Sequence, residues 1–323
     1  MKDLQGRSIE YVRISITDRC NLRCIYCMPE KGNDFIPPEQ LLTFDEILRT
    51  ASCMAGLGIR VVRLTGGEPM ARSGCLDLIS KLKRIEGIDR VTMTTNGALL
   101  RGHIEEALAA GLSSVNISID ALTPELYAEM TRGGNVEDVL ECIHEAADAG
   151  LKVNLNVVPV KGINEGELEG LALLARDMPV DVRFIELMPV GCGKNFEPVR
   201  IDEVKRRITA FFGEPEADDD FHGMGPASYV KPHGFTGSIG FIGAVSHGFC
   251  SCCNRVRVTS DGMLKLCLNH QASVNLRGMM RSGCTDSELT DVIREAILNK
   301  PMEHGFLQEV EDPEFRCMNR IGG

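Results

Sequence analysis

Six strand-like runs alternate with helical patterns over the first 190 residues, and this alternation limits the fold more than any other feature of the chain. The runs are residues 10–17, 59–64, 90–95, 114–119, 152–158 and 181–187. Helical spacing of apolar residues falls near 75–85, 103–110, 136–149 and 165–177. Thr43 with Glu46, and Thr285 with Glu288, are spaced as capping boxes, and Thr123-Pro124 marks a further helix start. Strands alternating with helices predict a parallel sheet with right-handed crossovers. Polar or Gly-rich groups follow nearly every run: a cysteine loop, Thr65-Gly66-Gly67-Glu68-Pro69, Thr95-Asn96-Gly97, Asp120 and Met188-Pro189. Chemistry gathered at the carboxyl ends of many strands is the barrel arrangement, whereas an open sheet concentrates it at one switch point. Six units cannot close an eight-stranded barrel. The expectation is an α/β partial (βα)6 TIM-type barrel over residues 1–190, open on one side. Beyond residue 191 the pattern breaks. Residues 213–225 read as a surface loop, followed by short strands at 238–242, 256–259 and 264–268. Residues 191–323 are read as a covering region.

The chain has 13 cysteines. No run approaches the roughly 18 apolar residues of a membrane span, and the charged N-terminus, MKDLQGRSIEYVRIS, lacks the apolar region of a secretory signal. A cytoplasmic location is expected, where thiols stay reduced and serve metals or catalysis. Cys53, Cys75, Cys142, Cys192, Cys284 and Cys317 read as scattered small hydrophobes. Cys20, Cys24 and Cys27 form C-x₃-C-x₂-C, and Cys250, Cys253 and Cys267 form C-x₂-C-x₁₃-C, with Cys252 inside the second group. Each group offers three thiolates. Structural zinc takes four closed ligands. A [4Fe–4S] cluster held by three thiolates keeps one iron open for chemistry. For the second group zinc stays an alternative, because His247, His270 and Cys252 lie close in sequence.

Charge narrows the partners. With 35 Lys+Arg against 46 Asp+Glu the formal charge is −11, which argues against a general nucleic-acid binder. It leaves room for an anion gripped by a few arginines. Arg13 and Arg63 sit inside apolar strands, where a guanidinium needs an anionic partner. Arg183, Arg255 and Arg257 are further candidates.

The cysteine loop with Tyr26 before its last Cys, and Gly-Gly-Glu-Pro after the second strand, resemble the radical S-adenosylmethionine (SAM) superfamily. FCSCCNRVRVTSDGMLKLCL and the Ile-Gly-Gly end resemble, more narrowly, the GTP 3′,8-cyclase family of molybdenum cofactor biosynthesis. The resemblance runs from YVRISITDRCN to IGG. It implies two [4Fe–4S] clusters and SAM, with Cys20, Cys24 and Cys27 on the first cluster and Cys250, Cys253 and Cys267 on the second. It implies SAM contacts from Tyr26, Gly67, Ser118 and Met188. It implies GTP contacts from Arg13, Arg63, Thr94, Arg255, Val256 and Arg257, with Arg183, Gly322 and Gly323 as further substrate or tail residues. The implied reaction is a radical SAM lyase step. Cleavage of SAM gives a radical that takes hydrogen from ribose C3′ of GTP, and the ribose carbon closes onto C8, giving (8S)-3′,8-cyclo-7,8-dihydroguanosine 5′-triphosphate. An electron donor, a downstream cyclic pyranopterin monophosphate synthase and a homodimer are implied too, with neither nucleic acid nor membrane as partner.

Asn154 departs from the family pattern, standing where a substrate-contacting lysine is common. Lys152, on the same strand face, or Lys161 is expected to compensate. Two other readings compete: a radical SAM peptide modifier with an auxiliary cluster, and a non-enzymatic zinc or iron–sulfur protein.

Overall fold

The computed structural model describes residues 1–306 and 314–322. Gly323, expected at the site, lies outside the described residues. The strands are β1 (Tyr11–Ser15), β2 (Val61–Thr65), β3 (Arg90–Thr95), β4 (Leu112–Ser118), β5 (Lys152–Val157) and β6 (Val180–Ile185), followed by β7 (Glu216–Ala217), β8 (Ser228–Lys231), β9 (Ile239–Ile242), β10 (Arg255–Val258), β11 (Met263–Lys265) and β12 (Ser273–Asn275). The helices are α1 (Phe44–Gly56), α2 (Cys75–Lys83), α3 (Ile104–Ala109), α4 (Pro124–Thr131), α5 (Val136–Asp148), α6 (Leu168–Asp177), α7 (Ile201–Phe212), α8 (Leu276–Arg281), α9 (Asp286–Leu298) and α10 (Met318–Ile321). Both capping boxes form, at the starts of α1 and α9. None of the described helices is long and apolar enough to cross a membrane.

The six expected strands are all present and pair in sequence order, each parallel to the next. Val12, Ile14, Val62, Leu64, Val91 and Met93 are buried in the core beneath the helices. The alternate positions carry polar groups in register: Arg13 beside Arg63, Arg63 beside Thr92, and Thr92 beside Ser114. This period-two alternation turns one apolar face to the helices and leaves a polar face for the interior. The sheet is therefore an α/β barrel wall with helices outside and polar groups lining its inner face.

The C-terminal region does more than cover the open side. β10 pairs parallel with β1, and β9 pairs parallel with β6, so both edges of the six-stranded wall are continued. Antiparallel β11–β12 and β8–β7 then finish the sheet at either end. The segment 213–225, expected to be a surface loop, is mostly exposed as far as Phe221, and only its last four residues turn inward. His222, Gly223, Met224 and Gly225 all reach the wall of an internal cavity. The His222 Nε2 lies 3.1 Å from Asp218 of the same segment, and its remaining partners lie on other elements. Its Nδ1 is 2.9 Å from Asp181 on β6, and its ring stacks on Tyr229 of β8 at 3.9 Å.

Candidate active site

The parallel direction of β1 and β10 sets the geography. The first cysteine trio follows β1 and stands at the carboxyl end of the parallel strands. Cys250 and Cys253 immediately precede β10, and Cys267 follows antiparallel β11, so the second trio stands at the amino end. The interior lies between them.

At the carboxyl end, the Cys20 Sγ accepts from the Leu22 N–H at 3.4 Å and from Asn96 Nδ2 at 3.8 Å. Burial pushes the Cys20 thiol up to about 11 and the Cys27 thiol up to about 12, while Cys24 is raised by burial and by the neighbouring Cys27. The three thiols thus sense one another's charge. They hold their protons until a cation compensates, as a metal cluster does. Among the described residues, no three His, Cys, Asp or Glu converge on a single-ion site. Tyr26 donates from its hydroxyl to Asp120 Oδ2 at 2.5 Å, and burial raises the Asp120 carboxyl to about 6. Gly66 and Gly67 are needed here for close approach. A Cβ on Gly67 would stand 2.3 Å from the Arg19 carbonyl oxygen, and one on Gly66 would stand 2.6 Å from that of Thr17. The missing side chains therefore let the cysteine loop's own backbone lie against the second strand's turn. Glu68 locks this turn, accepting from the Asn96 N–H at 2.8 Å and the Thr95 hydroxyl at 2.7 Å. Ser118 ends β4, and Met188 packs against the small cluster of Val190, Leu268 and Ile321.

Toward the amino end the interior opens into a cavity walled by Arg13, Arg63, Arg90, Arg183 and Arg255, with Asn116, Asn154, Asn156 and His222 among them. No Asp or Glu is among its described lining residues. Burial pulls the Arg63 guanidinium down to about 10, and Arg183 and Arg255 push it the same way. Arg13 is lowered further, by burial and then by Arg257. Arg255 Nε, Thr94 Oγ1 and Asn154 Oδ1 are buried with no hydrogen-bond partner. Like charges crowded away from water, beside orphaned polar atoms, are the imprint of a polyanion. Tyr11 lies between two of the cations, 5.4 Å from Arg63 and 6.0 Å from Arg255.

The expected residues do not all play the same part. Arg13, Arg63, Arg183 and Arg255 share the cavity. Arg183 is held by two bonds to Asn156 Oδ1, at 3.1 and 2.7 Å. Arg257 instead donates to the Gly322 carbonyl at 2.6 Å, which brings the chain's end to the interior. The Val256 side chain is fully buried in the core, so only its backbone can meet a ligand. Lys152, expected to replace the missing lysine charge, pairs with Asp181 at 2.8 Å and is not on the cavity wall. Lys161 pairs with Glu197 on the exposed surface. Asn154 is on the wall and donates to Asn116 Oδ1 at 3.2 Å. Arg90 and His222 are wall residues that sequence reasoning missed. Arg90 opens β3 and reads as a strand-end surface residue, with Phe221 beneath its guanidinium at 4.8 Å.

At the second trio, Cys250 is raised by burial and then by Cys267 and Cys253. Burial pushes Cys253 up as well, but Lys300, Arg255 and Arg7 outweigh it and the thiol is lowered. Cys252 is exposed and turns its thiol to the Phe249 carbonyl at 3.4 Å. The two histidines that kept zinc open have other partners: His247 Nε2 lies 2.8 Å from Asp202, and His270 Nε2 lies 3.2 Å from the Glu303 carbonyl.

Known proteins match this arrangement along its whole length. Residues 14–175 match the Radical SAM superfamily, and residues 180–306 match the family described as Molybdenum Cofactor Synthesis C. A GTP 3′,8-cyclase of Clostridium perfringens (strain 13 / Type A) is 44% identical over 323 residues, covering 100% of both chains. One from Heliobacterium modesticaldum is 41% identical over 327 residues, again covering 100% of each. In fold alone, the chain resembles Streptococcus suis SuiB bound to the precursor peptide SuiA. The TM-score is 0.64 at 15% identity, covering 94% of this chain and 68% of that one.

Proposed function

The chain belongs to the GTP 3′,8-cyclase family of radical SAM enzymes that serves molybdenum cofactor synthesis, and we propose how its own residues divide that work. Cys20, Cys24 and Cys27 hold the family's [4Fe–4S] cluster, and the raised, mutually sensing thiols support this. When bound, the cluster and SAM supply the electron and the carbon radical that removes hydrogen from ribose C3′. Tyr26, Gly67, Ser118 and Met188, all at the carboxyl end, bind SAM beside that cluster. Asp120 fixes the Tyr26 ring through its 2.5 Å bond.

Arg13, Arg63, Arg183 and Arg255 bind the GTP triphosphate, with Arg90 and His222 closing the amino-end side. The observation that carries this reading is the arginine-walled cavity with no carboxylate among its described lining residues. Thr94, the Val256 backbone and Arg257 complete the substrate site, and Gly322 with Gly323 reach it from the tail. Cys250, Cys253 and Cys267 hold a second [4Fe–4S] cluster that anchors the guanine base. Cys252, facing Phe249, stays outside the ligand set. Water is kept from the radical by the barrel wall and the inward 222–225 segment. The ribose carbon then closes onto C8 to give (8S)-3′,8-cyclo-7,8-dihydroguanosine 5′-triphosphate.

Residues 1–190 form the radical SAM part and residues 191–323 the auxiliary-cluster and covering part. The enzyme works in the cytoplasm as a homodimer, takes electrons from a separate donor and passes its product to cyclic pyranopterin monophosphate synthase. The deciding experiment is anaerobic turnover with dithionite, SAM and GTP deuterated at ribose C3′. Deuterium in the 5′-deoxyadenosine is expected. Unlabelled 5′-deoxyadenosine, formed without dependence on GTP, would overturn the substrate assignment.

A further inference from the structure

Two cysteines that read as isolated fillers in the sequence meet in the fold. Cys192 lies in the short turn Gly191–Asn195 that comes after β6 and Met188. Cys317 stands immediately before α10, at the head of the C-terminal tail. Their Sγ atoms are 3.3 Å apart, in thiol–thiol hydrogen-bond contact. Both residues are partly exposed. Their backbones are also close. Gly191 takes φ +54°, and a Cβ on it would stand 2.7 Å from Cys317 Cα and 2.8 Å from the Arg316 carbonyl oxygen. A disulfide needs its sulfurs at about 2.05 Å, so side-chain rotation with slight backbone adjustment could bring them together.

The residues after Cys317 give this contact its interest. Asn319 Nδ2 donates to the Asp18 carbonyl at 3.1 Å, just ahead of the first cysteine trio. Asn319 Oδ1 accepts from Asn33 Nδ2 at 3.0 Å. Gly322 then offers its carbonyl to Arg257. The tail thus runs from the thiol contact past the first trio into the interior. The thiol pair sits where the tail leaves the segment after β6.

We propose that Cys192 and Cys317 are an oxidisable dithiol, a modification site for low-molecular-weight disulfides, whose closure ties the C-terminal tail to the barrel. One cysteine thiolate attacks the small disulfide RSSR, forming a protein–S–SR bond and releasing RS⁻. The second cysteine thiolate attacks the protein sulfur of that mixed disulfide, forming the Cys192–Cys317 bond and releasing the second RS⁻. The two cysteines give up two protons and two electrons, and RSSR leaves as two RSH. Burial pushes the Cys192 thiol up to about 11, so the exchange is slow near neutrality. Its selectivity comes from the second thiol waiting beside the first. Outside the two cysteine trios, Cys53, Cys75 and Cys142 are buried, Cys252 faces a carbonyl and Cys284 faces Arg49.

The test uses reconstituted holoenzyme under anaerobic, mildly alkaline conditions with glutathione disulfide as the probe. Free thiols are then alkylated, and a non-reducing digest is mapped by mass spectrometry while cluster absorbance is followed. The expected result is a peptide linking Cys192 to Cys317 with clusters retained, reversed by dithiothreitol and absent in Cys192→Ser and in Cys317→Ser. Amide hydrogen exchange of Met318–Ile321 is expected to slow severalfold in the linked form. Cys192 and Cys317 staying alkylatable while Cys252 takes up glutathione would overturn the proposal. So would a stable mixed disulfide on either residue of the unaltered protein. Linkage without slower exchange would overturn the tethering role.

Discussion

Each end of the barrel carries one cysteine trio, and the charged groups around the two trios differ. At the carboxyl end burial raises Cys20, Cys24 and Cys27, and the neighbouring groups that push the same way are Glu68, Asp120 and the thiols of Cys317 and Cys192. At the amino end burial is outweighed around Cys253 by Lys300, Arg255 and Arg7. Reducing a cluster adds negative charge, so on the proposed ligand sets a cluster at the carboxyl end would be the more strongly reducing and one at the amino end the more easily reduced. The contrast amounts to a division of labour. In the proposed reading, one end pushes an electron into SAM and the other holds an electron-rich substrate still.

The largest effects should come from removing one thiol at each end. Cys24→Ala is expected to suppress 5′-deoxyadenosine formation by at least ~10³-fold, whereas Cys253→Ala should retain uncoupled SAM cleavage and lose cyclisation. Equal loss of SAM cleavage in both would erase the distinction. Iron should fall from about eight to about four per chain in each variant. Next comes Arg255→Ala, which removes a cavity-wall guanidinium proposed to bind the triphosphate. GTP binding measured by calorimetry should weaken about 10–100-fold with SAM binding unchanged. A smaller effect is expected from Lys300→Met. It should lower the potential of the amino-end cluster by roughly 60 mV, a tenfold change in a one-electron equilibrium, and leave the other cluster in place. A redox titration followed by electron paramagnetic resonance reads this directly.

The smallest effects are in stability against pH, and they run in opposite directions. Beside the amino-end trio, burial pushes Glu314 up, but Arg316 and Lys265 pull it down to about 2, from an ordinary 4.5. A depressed carboxyl contributes stability above its unfolded value, and that stability is lost as pH falls from 4.5 toward 2. At the carboxyl end Asp120 is raised from 3.8 to about 6. Its contribution is fully present below 3.8 and is lost as pH rises through about 6. Glu314→Gln should flatten the acid slope and Asp120→Asn the slope between the Asp120 values, in thermal melts across pH. The same slope removed by both variants would blur the two ends into one.

The wall of the barrel was legible because strands announce themselves locally. β3 has the bounds expected from its alternation, and the polar positions of β1 and β2 face inward as their period requires. The cysteine trios were legible from spacing alone. What stayed hidden depends on pairings between distant segments. Lys152 shares a strand face with Asn154, yet Asp181 on the neighbouring strand captures it. His222 looked like loop, and Asp181 and Tyr229 join its local partner Asp218 in holding it inward. Cys192 and Cys317 are 125 positions apart and meet only because the tail returns over the segment after β6. No local period encodes such meetings.

The pairing of β1 with β10 also sets a schedule. Tyr11 takes Arg255 as its neighbour on one side, so most of the chain must be made before the first strand has both partners. At ordinary rates of protein synthesis that interval is roughly 10–50 s, during which one flank of the nascent sheet is bare. A bare flank can recruit another chain. The thiols after β1 leave the ribosome early, while those before β10 emerge with the strand that closes the gap. Translation therefore presents the two cysteine trios to the cell one after the other, and the interior is sealed only once the later one has arrived.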